Sequence, residues 1–438
     1  MKLRPRTYRA LFNVLGGALL AVLVLGTGSP VRGQSPDPTP SAPGSPVEPP
    51  ASDPDGPPER SPATNTPVVD IPEDSSGTKL ATARPIADFS AAVKKRMAEH
   101  GWLMNIDMAF YEQYATAVLD GQKNFGTFAW RVWSDWTFLT LEDGERFSLE
   151  WTLLGSPGLN YDVSNEQLTR NVGSVSLLNA NYYPNPAALD EFILKASIAS
   201  KRVVGLIGRT DLSNRFDTNR VANDGFRQFI SFALQNNLSI PWSDYGGAGG
   251  LLRYNHDERL YAMIAGSESN SDEPFAFWKT VGKGNWYEMG EVGAAVDVPW
   301  LGVGHYRLTP WHSHLEGEDG WGFGINFDQE LGRSDVVAFF RFGYGDPDVT
   351  PVKTFASAGV AWIAPFGRKD DMTGFGFAWS DPSPGQGFRD ETLFEFFYRL
   401  ALRPWLEISP DLQVVIHPAS NHRSDLVWIP GIRLNASF

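Results

Sequence analysis

The chain has 438 residues, seven of them histidines, and only His312 and His314 stand close together. A two-residue spacing puts both imidazoles on one face of a strand, where a metal ion can be shared. Both fall at the end of their strand, however, and no metal is expected there. There is no cysteine, which excludes thiolate metal sites, cysteine nucleophiles and a disulfide scaffold. No serine sits in a glycine elbow with a histidine to serve it. No catalytic residue and no cofactor are expected.

What remains is charge at regular spacing. Arg131, Arg209, Arg253, Arg307, Arg341, Arg399 and Arg433 all lie on one face of an alternating segment, opposite its apolar residues. Asp107, Glu150, Glu191, Glu291 and Glu395 do the same. If the apolar faces meet lipid, a cation among them costs about 2–4 kcal/mol at the membrane midplane, so the charges must face inward. Two readings stay open for each. Arginines and carboxylates can pair and stiffen the wall, as expected for Arg399 with Glu395 four residues earlier on the same face. Or they protrude into a pore and exchange hydrogen bonds with solute hydroxyls. Arg209 is the foremost candidate for the second role, because it closes a segment and leads into the long loop at 211–248, with Asp211 to orient it. Arg131, Arg253, Arg307 and Glu191 are further candidates. Flat aromatic rings meet the C–H faces of sugars. Trp133 and Trp311 fall on the inward face, and Phe216, Trp242 and Tyr245 lie in the loop expected to fold inward. The alternative for a tryptophan is an interfacial girdle, which suits Trp102, Trp130, Trp136 and Trp428 better.

The elements that position these residues are strands. Beyond Gly101 no apolar run is long enough for a transmembrane helix. In 102–114 one face carries Trp102, Met104, Ile106, Met108, Phe110 and Tyr114, and the other Leu103, Asn105, Asp107 and Gln113. A period of two between an apolar and a polar face is a strand separating two environments. About sixteen such segments follow, near 102–116, 125–139, 146–155, 188–198, 202–210, 249–256, 259–266, 286–297, 303–313, 319–331, 334–344, 355–364, 372–380, 390–401, 404–417 and 424–438. Even-to-odd links are short, whereas odd-to-even links at 156–187, 211–248 and 267–285 are long. Short turns on one side and long loops on the other mark an all-β, antiparallel transmembrane β-barrel. Lipid cannot satisfy an open sheet edge, so the sheet must close. Sixteen strands enclose more space than wall side chains alone fill, which predicts a water-filled channel.

The N-terminal region has a different character. Lys2, Arg4, Arg6 and Arg9 precede the apolar stretch 10–26, and Val31-Arg32-Gly33 suits a signal peptidase. Residues 1–33 are therefore expected to be a signal peptide, and the mature chain to begin at Gln34. Losing five positive charges takes the net charge from −14 to −19, a balance that argues against nucleic-acid binding. Residues 34–84 are rich in proline and serine and are expected to form a disordered periplasmic leader. Phe89, Val93 and Met97 then recur every four residues, with Asp88 before them and Gly101 after, which predicts a short helix over 88–100. The barrel domain is placed at 85–438. It ends on Phe438, in step with the apolar face of Trp428, Ile432, Leu434 and Ala436. That pattern looks like the signal read by outer-membrane assembly machinery.

From about Asp88 to Phe438 the chain resembles the carbohydrate-selective porins of the porin B type. The resemblance is carried by Ile207-Gly208-Arg209-Thr210-Asp211 with Asn214-Arg215-Phe216-Asp217-Thr218-Asn219, then by Tyr306-Arg307-Leu308-Thr309-Pro310-Trp311. It continues in Phe340-Arg341-Phe342-Gly343 and in Gly367-Arg368-Lys369-Asp370-Asp371. Its densest part is the end: Glu395, Tyr398-Arg399, Pro404-Trp405-Leu406, Pro410-Asp411-Leu412-Gln413, Pro418, Gly431-Ile432-Arg433 and Phe438. It implies passive diffusion of small sugars across the outer membrane, with outer-membrane lipid as the surroundings and a homo-trimer as the common porin assembly. A general porin and a structural envelope anchor are the competing functions; only the loops separate the first from a sugar channel.

Overall fold

The computed structural model describes residues 84–438, except 143, 157–164, 182–184, 244, 270–273, 277, 279–280, 316, 333 and 386. The expected signal peptide and the leader up to residue 83 lie outside the described residues. Helix α1 (Arg84–Ala98) comes first. It starts four residues before Asp88, so Asp88 is not its cap. Its C-terminus follows the expected glycine stop: Gly101 adopts φ +75, and a Cβ there would lie 2.6 Å from the carbonyl oxygen of Thr137.

Sixteen strands follow: β1 (Trp102–Tyr114), β2 (Asn124–Thr140), β3 (Arg146–Gly155), β4 (Ala188–Ile198), β5 (Val203–Thr210), β6 (Gly247–Asn255), β7 (Leu260–Glu268) and β8 (Trp286–Val298). The second half comprises β9 (Gly302–Leu315), β10 (Glu318–Glu330), β11 (Val336–Gly345), β12 (Val352–Ile363), β13 (Met372–Pro382), β14 (Glu391–Arg403), β15 (Leu406–Ile416) and β16 (Leu426–Ser437). Each pairs antiparallel with its sequence neighbours, and β1 pairs with β16 to close the barrel. The seam runs from Asp107 opposite Ser437 to Gln113 opposite Gly431. Beyond it, the backbone N–H and C=O of Phe438 both bond to Ile106 at 2.9 Å, and the Phe438 ring stacks on Trp405.

The alternation has its expected physical meaning. Phe110, Ile264, Leu308, Phe396, Trp428 and Ile432 are exposed on the outer surface, while Ala109, Tyr111, Phe397, Ile429 and Arg433 of the same strands are buried inside. Trp102, Trp136, Phe138 and Trp428 are exposed near strand ends, as a girdle requires. Two features differ from expectation. The link between β9 and β10 is a tight hairpin of two residues, so the odd-to-even links are not uniformly long. The interior is also far from uniformly wet. Segments 165–181 and 211–246 enter from the long-loop end and pack against the wall. Their Leu168, Leu178, Phe216, Phe229, Phe232 and Leu234 form one apolar cluster with Phe339, Phe355, Phe397 and Ile429 of the strands. Sixteen strands leave too much room for wall side chains, and here folded-in chain fills much of it.

Candidate functional site

The segment 211–246 is held inside the barrel by buried wall charges that bind its backbone. Arg341 on β11 is fully buried. Its Nε donates to Asp217 Oδ2 at 3.0 Å, Nη1 to the carbonyl of Leu234 at 3.1 Å, and Nη2 to the carbonyls of Asp217 and Ala222 at 3.1 and 2.8 Å. Arg433 on β16 donates through Nη1 to the carbonyls of Gly225 and Gln228 at 2.6 and 2.9 Å. Carboxylates hold the amides in turn. Glu395 on β14 accepts from the N–H groups of Ile230 and Ser231, and Glu291 on β8 from the N–H of Asp217. Glu391 on β14 accepts from Val175 and Ser176 N–H and fixes the shorter inward segment. A loop in a lumen has no strand partner, so its backbone groups need side chains. Charged partners give the strongest such bonds.

This arrangement revises the roles expected of several residues. Glu395 is occupied by the inward segment; Arg399 instead stands 3.6 Å from Glu407 on β15. Arg209 does not stand in the open at a constriction: its side chain is wholly buried, 6.0 Å from the ring of Tyr245. Its register opposite Phe192 and Ala248 is that of the outer face. Gly208 just before it has φ +147, and a Cβ there would meet the carbonyl oxygen of Phe192 at 2.1 Å. Asp211 caps the short 3-10 turn Leu212–Asn214 by accepting from Ser213 N–H at 2.8 Å.

Arg131 is a wall pair with Asp107 at 2.7 Å and covers the ring of Phe226 at 4.7 Å. Arg307 is paired with Asp328 at 3.3 Å. Arg253 lies over the Tyr261 ring at 3.9 Å and bonds to Asn255. Glu191 receives Arg215 at 3.2 Å. Trp311 and Trp242 are both buried against Tyr287, with ring centroids 6.3 and 6.4 Å away, so these indoles pack the inward segment rather than face a solute. Phe216 and Tyr245 are buried likewise. Trp133, half-buried on the inner face between Asn105 and Thr152, keeps a surface that a solute can reach. His312 and His314 point outward at the long-loop rim, with His314 2.8 Å from Asp319. Among the described residues, no group of three potential ligands is arranged to hold a metal.

The arginines of the inward segment join wall charges in three clusters. On one wall Lys195 lies 2.5 Å from Glu150 and 3.6 Å from Asp135, and Arg215 lies 3.0 Å from Glu150. On β9 and β10, Arg220 reaches Glu330 at 2.8 Å and Asp328 at 3.5 Å, with His305 also on Asp328 at 2.8 Å. Across β14 to β16, Arg227 and Arg399 share Glu407, each at 3.6 Å. The inward segment therefore sends Arg215, Arg220 and Arg227 to three sectors of the wall. Sequence reasoning named aromatic rings of this loop and missed its arginines. The available signal was their presence in the very loop expected to fold inward.

Residues 312–438 match the model of the carbohydrate-selective porin, OprB family. Porin AaxA of Chlamydia pneumoniae is 25% identical over 228 residues, 49% of this chain and 51% of that one. Porin AaxA of Chlamydia trachomatis serovar D is 24% identical over 265 residues, 58% of this chain and 57% of that one. The chain thus spans about half the length of the curated relatives it matches. The high-pH structure of Pseudomonas putida OprB superposes with a TM-score of 0.68 at 15% identity, covering 80% of this chain and 97% of that one. Its low-pH structure gives 0.52 at 16% identity, covering 83% and 100%. At such identity these structures establish a shared fold, the closed sixteen-stranded porin barrel.

Proposed function

We propose that this barrel is an outer-membrane porin through which small polar solutes, sugars foremost, diffuse passively into the periplasm. The observation that carries the reading is the inward segment 211–246, pinned across the lumen by Arg341, Arg433, Glu291 and Glu395, which narrows the barrel and sets Arg215, Arg220 and Arg227 against wall carboxylates. Guanidinium forks donate and carboxylates accept, so a sugar exchanges its water shell for hydrogen bonds of both kinds. Trp133 offers an aromatic face to the C–H side of a pyranose. Nothing in such a passage requires bond chemistry, and a channel rather than an enzyme is the function.

The same reading orients the molecule. The short-turn end, with α1 and Phe438, faces the periplasm, where the proline-rich leader also lies, and the long-loop end faces outward. Phe438, stacked on Trp405 at the seam, serves as the contact for the assembly machinery. A homo-trimer is the assembly proposed. The test is single-channel conductance of the purified protein in a planar bilayer, titrated with a panel of neutral sugars. A sugar-dependent reduction of ion current supports the reading; a protein that inserts but carries no current overturns it in favour of a structural anchor.

A further inference from the structure

We propose that Arg227 forms an oxyanion-binding subsite of the channel, which takes solutes bearing a carboxylate or phosphate group. The inference rests on the porin reading and adds the class of solute that its most open cation selects. The three arginines of the inward segment are not equivalent. Arg215 has carboxylate oxygens of Glu150 and Glu191 at 3.0 and 3.2 Å. Arg220 has Glu330 at 2.8 Å and Asp328 at 3.5 Å. Among the described residues Arg227 is ion-paired only with Glu407, at 3.6 Å, beyond a normal hydrogen bond, and its shielded Nε makes no hydrogen bond there.

Glu407 is itself divided. One oxygen accepts from Asn435 Nδ2 at 3.0 Å, and the other stands 3.6 Å from Arg399, whose shielded Nε is likewise without a hydrogen bond among the described residues. Lys94 of α1 adds a further cation close enough to feel Arg227. It bonds to the neutral Asn105 at 2.7 Å, while the neighbouring Asp107 is taken up by Arg131. Asp224 acts more weakly on Arg399. With the Asp107–Arg131 pair set aside as neutral, Arg227, Arg399 and Lys94 face Glu407 and Asp224, and the sector is positive.

The backbone that carries the fork is held in place. Arg433 grips the carbonyls of Gly225 and Gln228 on either side of Arg227, and Arg399 Nη1 approaches the carbonyl of Arg227 itself at 3.5 Å. The Arg227 side chain keeps 37% of its surface exposed. A backbone fixed on both sides and a free planar fork make a preorganised partner for a two-oxygen anion. In the Asp135, Glu150 and Glu191 sector the two cations, Lys195 and Arg215, are outnumbered and both paired, so it offers no comparable fork.

The test uses the full-length protein in a planar bilayer, with glucose, glucuronate and glucose 6-phosphate as probes and potassium chloride carrying the current. The wild-type current should be half-blocked by one or both acidic probes at about one tenth of the glucose concentration, the scale of one charge-assisted interaction. Arg227→Gln should bring the acidic probes down to the level of glucose, with any loss of glucose block smaller than the loss for the acidic probes. Lys369→Gln, which deletes an exposed turn charge of the same sign, should not. Loss for glucuronate alone identifies a carboxylate site, and loss for glucose 6-phosphate alone a phosphate site; either upholds the proposal. Acidic probes that block no better than glucose, or an Arg227→Gln channel with the advantage intact, overturn it while leaving the porin reading standing. A wild-type protein without ion current would overturn both.

Discussion

Replacing Arg341 with methionine tests whether buried wall charge holds the inward segment. Methionine fills a similar volume without any donor. The change strands the carbonyls of Asp217, Ala222 and Leu234 and takes the guanidinium from a fully buried Asp217 carboxylate. Asp217 keeps donors from Asn237 N–H at 3.0 Å and Asn326 Nδ2 at 2.8 Å, so its charge is not left bare. Breaking one partner out of a buried ion pair costs about 3–5 kcal/mol. Taking about 4 kcal/mol, the population with the segment detached rises roughly a thousandfold. The closed strand ladder does not pass through Arg341's side chain, so the barrel should still assemble. Two measurements report the outcome: single-channel conductance, which should rise and become noisy, and trypsin cleavage at Arg215, Arg220 or Arg227, which should appear in the folded protein. Wild-type conductance together with wild-type resistance to trypsin, in a variant that still shifts on heating, would falsify the clamp. Asp217→Asn, a smaller perturbation of the same pair, should move both readouts the same way by less.

Three further outcomes are expected. Deleting Phe438 removes two backbone bonds to Ile106 and the ring on Trp405; the heat-modifiable form should decline on gels, and an undiminished yield counts against a role in assembly. Arg209→Ala should lower the yield of folded barrel, because the side chain is wholly buried, yet leave sugar block unchanged in the channels that do insert; altered block with normal yield would return Arg209 to the pore. N-terminal sequencing of the envelope-bound protein should find Gln34 first, and a chain that begins at Met1 removes the cleavage site.

The strands were legible because membrane and lumen impose opposite chemistry on alternate residues. All sixteen segments read from that alternation lie within three residues of the strands at either end. The inward facing of Arg131, Arg307, Arg341, Arg399 and Arg433 follows from the same alternation. The contrast of short turns with long loops gave the two ends of the barrel, even though the β9–β10 hairpin departs from it. Period two says which way a side chain points, but not what it meets. Arg341 and Arg433 bind carbonyls more than one hundred residues away in sequence, and no local pattern encodes that pairing. Arg209 shows the limit most sharply: it pairs in step with the outward Phe192, yet its side chain is wholly buried. Trp242 and Trp311 have the residue type that a sugar site uses, yet the tertiary structure spends them on packing around Tyr287. The sequence alone determined a closed, two-faced wall, because each strand must satisfy lipid and lumen locally. Only the folded chain decided which charges stay open to a solute, because that depends on where a long inward segment comes to rest.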